Sequence, residues 1–254
     1  MQPKRFRPTV ELAMTAMFTS LVAVATMVFS IYVPDTRGFF NIGETMVFTA
    51  ALLFGPLVGS FAGGVGSMIA DVLLGYPHYA PATLIIKACE GGIVGVLGRR
   101  QARFSSRLQW RTFTLIVGLV AGILMGGIGS LYYSGSVELY LGIPPPRSPT
   151  AILFIPSGLW YFLGGLTVVL IASTGFAVEP EFGWLVLATL VGGSAMVVGY
   201  FVYQQFLLFP LFGIPVIAVA EIPINIGQMI VGLAVSIPIV SAVRRAIPAL
   251  TRPR

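Results

Sequence analysis

The stretch "GETMVFTAALLFGPLVGSFAGGVGSMIADVLLG", residues 43–75, decides how this chain folds. Apart from Glu44 and Asp71, none of its residues is charged. A single helix over this stretch would be about 50 Å long, whereas the hydrocarbon core of a bilayer is about 30 Å thick. Gly55 and Pro56 interrupt the run, because proline removes a backbone donor and clashes with the preceding turn. We therefore predict two short membrane helices, one on each side of this break.

The composition of the whole chain places it in a membrane. Of its 254 residues, 56% are apolar and only 9% are charged, and the mean hydropathy is +0.92. Soluble domains carry roughly 25% charged residues. We predict an all-α integral membrane protein with one membrane domain over residues 1–254. The first apolar run, 9–33, is long enough to span, so we interpret it as a retained helix and not as a cleaved signal peptide.

Basic residues fix the predicted number of spans. Lys and Arg concentrate in cytoplasmic loops, and five arginines lie between residues 99 and 111. This loop is cytoplasmic only if 43–75 crosses twice, and the basic termini then lie on the same side. The segment 173–183 carries two glutamates and no base, so it does not support this topology. The predicted spans are 9–33, 43–54, 57–75, 82–98, 112–132, 152–174, 184–207 and 214–243.

Several kinds of site are excluded by the sequence. The chain has one cysteine and one histidine, so it can form neither an internal disulfide nor a Cys/His site for zinc or an iron–sulfur cluster. It has no phosphate-binding glycine-lysine loop, and the pair Gly64 and Gly66 lacks the third glycine of a dinucleotide fingerprint. We expect no metal and no cofactor, and any ATP hydrolysis would be carried out by partner subunits.

Small residues recur at four-residue spacing on two predicted helices. In lipid, such residues let helix backbones approach closely. On the third span they form a face that ends at Asp71, and we interpret this face as internal helix packing. On the first span Ala16 and Ser20 form a similar face, which could pack internally or meet a partner subunit. The members of the longer face are Gly55, Gly59, Gly63, Ser67 and Asp71.

Lys87 and Glu90 lie inside a predicted membrane helix, three residues apart and therefore on one face. A lysine at the bilayer centre costs about 2.5–3.5 kcal/mol on insertion scales. One interpretation is a structural ion pair of Lys87 with Asp71 or Glu90. The other is a pocket for a small, polar molecule with an aromatic ring. A buried ion pair is weak evidence for stability, whereas ionisable residues inside a membrane generally serve function.

We favour the pocket, because polar residues from four separate spans fall at the same predicted depth, in the outer half of the membrane. The segment that connects the third and fourth spans adds two tyrosines and a histidine, although His78 is equally well explained as a loop or capping residue. The predicted substrate-binding residues are Asn41, Glu44, Asp71, Tyr76, His78, Tyr79, Lys87, Glu90, Tyr203, Glu221, Asn225 and Gln228.

Three blocks of the chain resemble a known family. They are "FNIGETMVFTAALLFGPLVGSFAGGVGSMIADVLLGYPHYAPATLIIKACEGGIVG" (40–95), "GGSAMVVGYFVYQQFLLF" (192–209) and "EIPINIGQMIVGLAVSIP" (221–238). They resemble the substrate-binding S components of energy-coupling factor (ECF) vitamin transporters. The resemblance is strongest to the riboflavin-type or hydroxymethylpyrimidine/pyridoxine-type branch. Glu44 occupies a position where relatives often carry aspartate, so the identity of the ligand stays open.

This resemblance implies a six-helix bundle in a prokaryotic cell membrane with both termini cytoplasmic. It also implies that a vitamin-like ligand is captured from outside, and that the protein docks on a membrane coupling subunit that carries two ATPase subunits. Family members dock through an alanine-x-x-x-alanine patch on the first helix, where Ala16 matches and Ser20 replaces the second alanine. The segment 112–174 has no counterpart in the six-helix pattern, so we predict two inserted spans and about eight helices in all.

Two other functions stay open at this point. A solitary facilitator would move a vitamin without ATPase partners. A membrane enzyme would use Asp71, Glu90 and His78 as acid and base groups, but these residues lack an accompanying nucleophile or metal-ligand spacing. We therefore expect a binding subunit and not an enzyme, with a small molecule, the coupling and ATPase subunits and the lipid bilayer as partners, and no nucleic acid.

Overall fold

The computed structural model describes residues 8–100, 106–142, 146, 148–177 and 180–247, without the side chains of residues 177 and 180–182. Helices dominate these residues, and seven helical segments among them are long and apolar enough to cross a membrane. The prediction of an all-α membrane protein is confirmed. The helices are α1 (Pro8–Val28), α2 (Glu44–Phe54), α3 (Pro56–Leu74), α4 (Ala80–Arg99), α5 (Arg107–Tyr132), α6 (Ser157–Ala177), α7 (Pro180–Tyr203), α8 (Phe209–Phe212) and α9 (Glu221–Ala246).

The predicted break in the opening stretch is confirmed. α2 ends before Gly55, which has a φ of +85° that an L side chain rarely adopts, and Pro56 occupies the first turn of α3. With 11 residues, α2 is only about 16 Å long, roughly half the thickness of a bilayer core. Buried residues of α2 belong both to a cluster with α1 and α3 and to the larger cluster with α4, α5, α7 and α9. This short helix therefore lies at the centre of the bundle.

Glycines bring α3 and α4 into close contact, as the small-residue spacing predicted. A β-carbon on Gly59 would lie 2.8 Å from the carbonyl oxygen of Gly91, and one on Gly63 would lie 2.9 Å from the carbonyl oxygen of Lys87. Real β-carbons essentially never approach other atoms so closely, so the two backbones can pack in this way only because these positions lack side chains. The packing fixes the height of Lys87 relative to α3.

Two antiparallel β-hairpins lie among the described residues, and neither was predicted from the sequence. β1 (Ser30–Val33) pairs with β2 (Gly38–Asn41), and β3 (Gly135–Leu139) pairs with β4 (Ala151–Ile155). Tyr32 and Tyr140 form an isolated antiparallel bridge that joins the two hairpins. Both hairpins consist of residues that connect membrane helices, at the same end of the bundle.

The hairpins correct several predicted span boundaries. The first span does not extend to residue 33, because α1 ends at Val28 and the following apolar residues form β1. The span predicted at 152–174 begins instead at Ser157, after β4. α7 begins earlier than residue 184, and its last turns become π-helical over Gln204–Leu208. The last helix begins at Glu221 and not at 214, and Arg107 and Arg111 belong to α5 and not to a loop.

The alternation of helices gives the bundle two different ends. The C-terminal ends of α1, α3, α5 and α7 and the N-terminal ends of α2, α4, α6 and α9 lie together at one end, with both hairpins. At the other end, Arg99 donates to the carbonyl oxygen of Phe54 (2.6 Å) and Arg244 donates to that of Leu52 (2.8 Å). Two cations thus bind the last turn of α2, where the helix dipole is negative.

Candidate functional site

A cavity of about 430 Å³, including the space that opens to solvent, lies at the hairpin end of the bundle. Five helices and strand β2 contribute to its wall, so it depends on the tertiary fold and not on one local motif. Its lining residues are Thr26, Gly38, Phe39, Asn41, Ser67, Asp71, Tyr79, Thr83, Lys87, Tyr200, Glu221, Asn225 and Gln228.

Lys87 is the only basic residue in this lining, and it is almost completely buried, with 4% of its surface exposed. Its ammonium group forms ion pairs with Glu44, at the start of α2, and with Glu90, one turn further along α4 (3.1 Å). The suggested pairing with Asp71 is therefore wrong, whereas the pairing with Glu90 is confirmed. Glu44 reaches the lysine because Gly59 and Gly63 of α3 pack against α2 as well as α4, which sets the height of α2 beside α4.

Asp71 and Glu221 are the two carboxyl groups that line the cavity itself. Asp71 comes from the last turn of α3 and lies beside Thr83 of α4. Glu221 is the first residue of α9. Both residues are buried, and neither Oδ2 of Asp71 nor Oε2 of Glu221 has a hydrogen-bond partner within the described part of the chain.

A chain of amide groups forms another part of the wall. Asn41 donates to Oε1 of Gln228 (2.7 Å), and Gln228 donates in turn to Oδ1 of Asn225 (3.0 Å). Oδ1 of Asn41 also accepts from the backbone N–H of Gly43 (2.8 Å). These bonds fix the orientation of the amides, and they leave Nδ2 of Asn225 as a buried donor without a partner among the described residues.

Aromatic residues cover the cavity on the side of the loops. Tyr79 donates to the carbonyl oxygen of Thr36 (2.6 Å) and accepts from Nε2 of Gln204 (2.8 Å). These two bonds link the loop after α3 to the first hairpin and to the π-helical end of α7. Thr83 and Tyr200 are joined by a 3.0 Å hydrogen bond between their hydroxyl groups. The result is a polar cavity with phenol rings on one side.

Of the twelve predicted site residues, seven line the cavity: Asn41, Asp71, Tyr79, Lys87, Glu221, Asn225 and Gln228. Glu44 and Glu90 lie behind it and contact it through Lys87. Tyr76, His78 and Tyr203 lie outside the lining. A role for any of these residues in binding stays a prediction.

The three predicted residues outside the lining form an outer aromatic layer. Tyr76 packs on Phe39, with ring centroids 4.9 Å apart. The hydroxyl of Tyr203 donates to the carbonyl oxygen of His78, whose ring packs on Tyr79 at 5.0 Å. Burial lowers the pKa of His78, so the imidazole is neutral at pH 7. This layer supports the residues that line the cavity.

Several lining residues are not among the predicted site residues. Thr26, Ser67 and Thr83 carry hydroxyl groups that are common in membrane helices, where they often bond to their own helix backbone, so they give little signal. Tyr200 lies in the last turn of α7, three residues before the predicted Tyr203. Gly38 and Phe39 belong to the unpredicted hairpin. Only the recognition of β2 as a strand could have placed these two residues at the site.

The α5–α6 pair is tied to the wall of the cavity by a short chain of hydrogen bonds. Trp160 Nε1 donates to the carbonyl oxygen of Tyr133 (2.7 Å), and the hydroxyl of Tyr133 donates to the carbonyl oxygen of Ala220 (2.9 Å). Ala220 immediately precedes Glu221. Val33 of the first hairpin packs in the same buried cluster as Tyr133. The predicted inserted segment therefore contacts the residue before Glu221 of the wall, and it packs on the hairpin whose second strand, β2, lines the cavity.

We expect Tyr133→Phe to loosen this region without unfolding the protein. Loss of one hydrogen bond costs about 1 kcal/mol, so local opening should become about fivefold more frequent. Hydrogen–deuterium exchange of the full chain in detergent should show faster exchange at residues 217–221 and in β1. The control is Tyr161→Phe, because this exposed hydroxyl only accepts a bond from Ser130 of α5. Equal exchange in both variants would contradict the bracing role.

The chain is similar in sequence to a known family and to two known proteins. The family model "ECF-type riboflavin transporter, S component" matches residues 8–160. A protein of Pyrococcus woesei, described as "Uncharacterized protein in gap 3'region", is 40% identical over 129 residues, which cover 48% of this chain and 86% of that protein. "Thiamine precursor transporter HmpT" of Lactococcus lactis subsp. cremoris (strain MG1363) is 27% identical over 136 residues, or 52% of this chain and 76% of that protein.

The matched residues include α1 to α5 and both hairpins, together with the cavity residues of the first half of the chain. The family and the name of the second relative point to a transporter and not to an enzyme. Membership also implies a small, vitamin-like ligand and a place in the membrane. From the length of the family match we conclude that this chain belongs to the family of ECF-type riboflavin transporter S components.

Proposed function

We propose that this protein is the substrate-binding subunit of an ECF-type importer. It binds a vitamin or vitamin precursor in the cavity and delivers it together with a membrane coupling subunit and two ATPase subunits. The observation that carries this proposal is the buried polar cavity, which combines an ion-paired lysine, two carboxyl groups, an amide chain and tyrosines at one end of a membrane bundle. Polar groups are expensive inside a membrane, so their convergence supports a binding site.

The distribution of basic residues supports a cavity that faces outward. Arg99, Arg100, Arg107, Arg244 and Arg245 all lie at the end of the bundle opposite the cavity. Because Lys and Arg concentrate on the cytoplasmic side, that end is cytoplasmic in our proposal. The chain segments before α1 and after α9 would then be cytoplasmic as well.

Labelling of single cysteines tests this orientation. In a Cys89→Ala background, Arg100→Cys and Ser136→Cys place an exposed thiol at opposite ends of the bundle. An impermeant maleimide added to intact cells should label Ser136→Cys at once, and Arg100→Cys only after permeabilisation. Labelling of both variants in intact cells would contradict the proposed topology.

The first helix supports a docking role. The side chains of Ala16 and Ser20 are exposed in the structure, and Ser20 bonds only to the carbonyl oxygen of Ala16 within its own helix (3.1 Å). The same helix uses other residues, such as Phe18 and Val22, to pack on α2 and α3. The small-residue face is therefore available to a partner subunit.

Identification of the bound molecule tests the proposed function directly. The protein is purified in mild detergent, and small molecules released from it are identified by mass spectrometry. Uptake of the same compound is then measured in cells with and without the coupling and ATPase subunits. We expect uptake only with all subunits. Uptake by the chain alone would indicate a solitary facilitator, and chemical conversion of the compound would indicate an enzyme.

A further inference from the structure

The buried charges around the cavity are unbalanced. Four carboxyl groups, those of Glu44, Asp71, Glu90 and Glu221, surround a single ammonium group, that of Lys87, and each of these residues is at most 5% exposed. Among the described residues, Lys87 forms ion pairs with Glu44 and Glu90, and none is found for Asp71 or Glu221. The buried cation is therefore already shared by two acidic groups.

The two carboxyl groups without a cation are the ones that line the cavity. Each has one oxygen, Oδ2 of Asp71 and Oε2 of Glu221, without a hydrogen-bond partner in the described part of the chain. A buried carboxylate is costly unless it is paired and hydrogen-bonded. A ligand with positive charge and N–H donors would satisfy both groups at once. An anionic ligand would meet two carboxylates, and the nearest lysine would already be paired.

The chemistry of the wall favours an organic cation over a metal ion. No group of three or more His, Cys, Asp or Glu side chains that could hold a metal ion is found among the described residues. The wall instead combines carboxyl groups with the rings of Phe39, Tyr79 and Tyr200 and with the amides of Asn225 and Gln228. Aromatic faces attract organic cations, and amides bind the heteroatoms of polar rings.

We propose that the cavity selects a small aromatic cation, bound between Asp71 and Glu221. The positive charge is either permanent or acquired when an aromatic nitrogen base takes up a proton on binding. This inference rests on the proposed function, and it adds the charge of the substrate. In this arrangement two N–H groups of Lys87 hold Glu44 and Glu90, and the third donates to a neutral acceptor atom of the ligand, apart from its positive charge.

Calorimetric titration of the purified full chain at pH 7 tests the proposal with four probes. Thiamine carries a permanent charge, 4-amino-5-hydroxymethyl-2-methylpyrimidine is a nitrogen base, riboflavin is uncharged and riboflavin 5′-phosphate is an anion. We expect at least one of the first two to bind about 30-fold more tightly than either flavin. Titrations in two buffers of different ionisation enthalpy separate a permanent cation from a base that takes up a proton.

Neutral variants of the carboxyl groups locate the effect. Glu221→Gln and Asp71→Asn should each weaken binding about 10-fold or more for whichever of thiamine and the pyrimidine binds more tightly. Glu138→Gln, which removes an exposed carboxyl group of β3 outside the cavity, is the matched control and should bind normally. Thermal unfolding verifies that each variant is folded. If Asp71→Asn does not fold, Glu221→Gln alone tests whether the carboxyl groups bind the cation.

Two results would overturn this proposal. One is failure of both thiamine and the pyrimidine to bind, or binding of a flavin that is tighter than the binding of either. The other is a folded Glu221→Gln protein whose affinity for the preferred compound, thiamine or the pyrimidine, is unchanged. Tight binding of riboflavin alone would contradict the cation selectivity and leave the proposed importer function intact. The importer function itself fails if uptake of the co-purified compound does not require the coupling and ATPase subunits.

Discussion

Replacement of Lys87 by methionine should lower the free energy of unfolding by about 3–5 kcal/mol, because it leaves two buried carboxyl groups without their shared cation. Glu44 and Glu90 are 1% and 0% exposed, so water cannot take over the role of the ammonium group. The same substitution should weaken binding of the co-purified small molecule by about 2–5 kcal/mol if Lys87 also donates to it. Thermal unfolding and calorimetric titration measure the two effects separately.

A triple variant distinguishes a structural from a ligand-binding lysine. Lys87→Met combined with Glu44→Gln and Glu90→Gln removes the whole ion-paired group, and neutral replacement of a buried pair is often tolerated. We expect the triple variant to regain most of the stability lost in the single variant. We also expect binding to stay weak, because Lys87 lines the cavity and a methionine cannot donate a hydrogen bond. Full affinity in the triple variant would show that Lys87 only supports the fold.

The number of helices could be predicted from two features of the sequence, a proline that breaks a helix and a cluster of arginines that favours the cytoplasm. Proline at position 56 cannot continue the helix that precedes it, and the arginines after residue 98 are costly to place outside the cytoplasm. Neither argument depends on tertiary structure. The treatment of 112–174 as an insertion into a six-helix pattern rests on the resemblance alone and stays a prediction.

The hairpins could not be predicted by the same approach. The residues of β1 after Ser30 are apolar and closely follow an apolar helix, so a hydropathy profile merges them with the first span. Ile31 and Val33 are β-branched and Gly38 follows a polar turn, which is typical of a hairpin. In a chain this hydrophobic, however, such short runs do not stand out. The pairing of β1 with β2 becomes clear only in the folded structure.

The candidate site was partly predictable for a related reason. Charged and amide groups in a membrane helix are rare, so Asp71, Lys87, Glu221, Asn225 and Gln228 stand out in the sequence. The partners of these residues do not stand out in the sequence, because an ion pair between helices depends on the relative heights of the helices. Glu44 meets Lys87 because Gly59 and Gly63 of α3 pack against both α2 and α4 and so set the relative heights of these two helices, and neither residue type nor spacing reveals that.

Ala16→Trp should lower ATP-dependent uptake about tenfold or more, with little change in ligand binding. Helices that meet through small residues depend on close approach of their backbones, and an indole ring would hold the partner helix away. Ala16 is exposed in the structure, so the bulky side chain should not disturb internal packing. The measurement is uptake by cells that co-express the coupling and ATPase subunits, together with titration of the purified variant.

Val169→Trp is the matched control, because it adds the same ring to an exposed position on α6 that is 62% accessible. Its uptake should equal that of the unaltered protein, since lipid can adapt to an added side chain on that surface.

Normal uptake by Ala16→Trp would place the docking surface elsewhere on the protein. Loss of binding together with uptake would mean that α1 contributes to the fold of the cavity. Thr26, two to three turns further along the same helix, lines the cavity. Uptake that fails while binding and thermal stability persist is the outcome that assigns Ala16 to contact with a partner subunit.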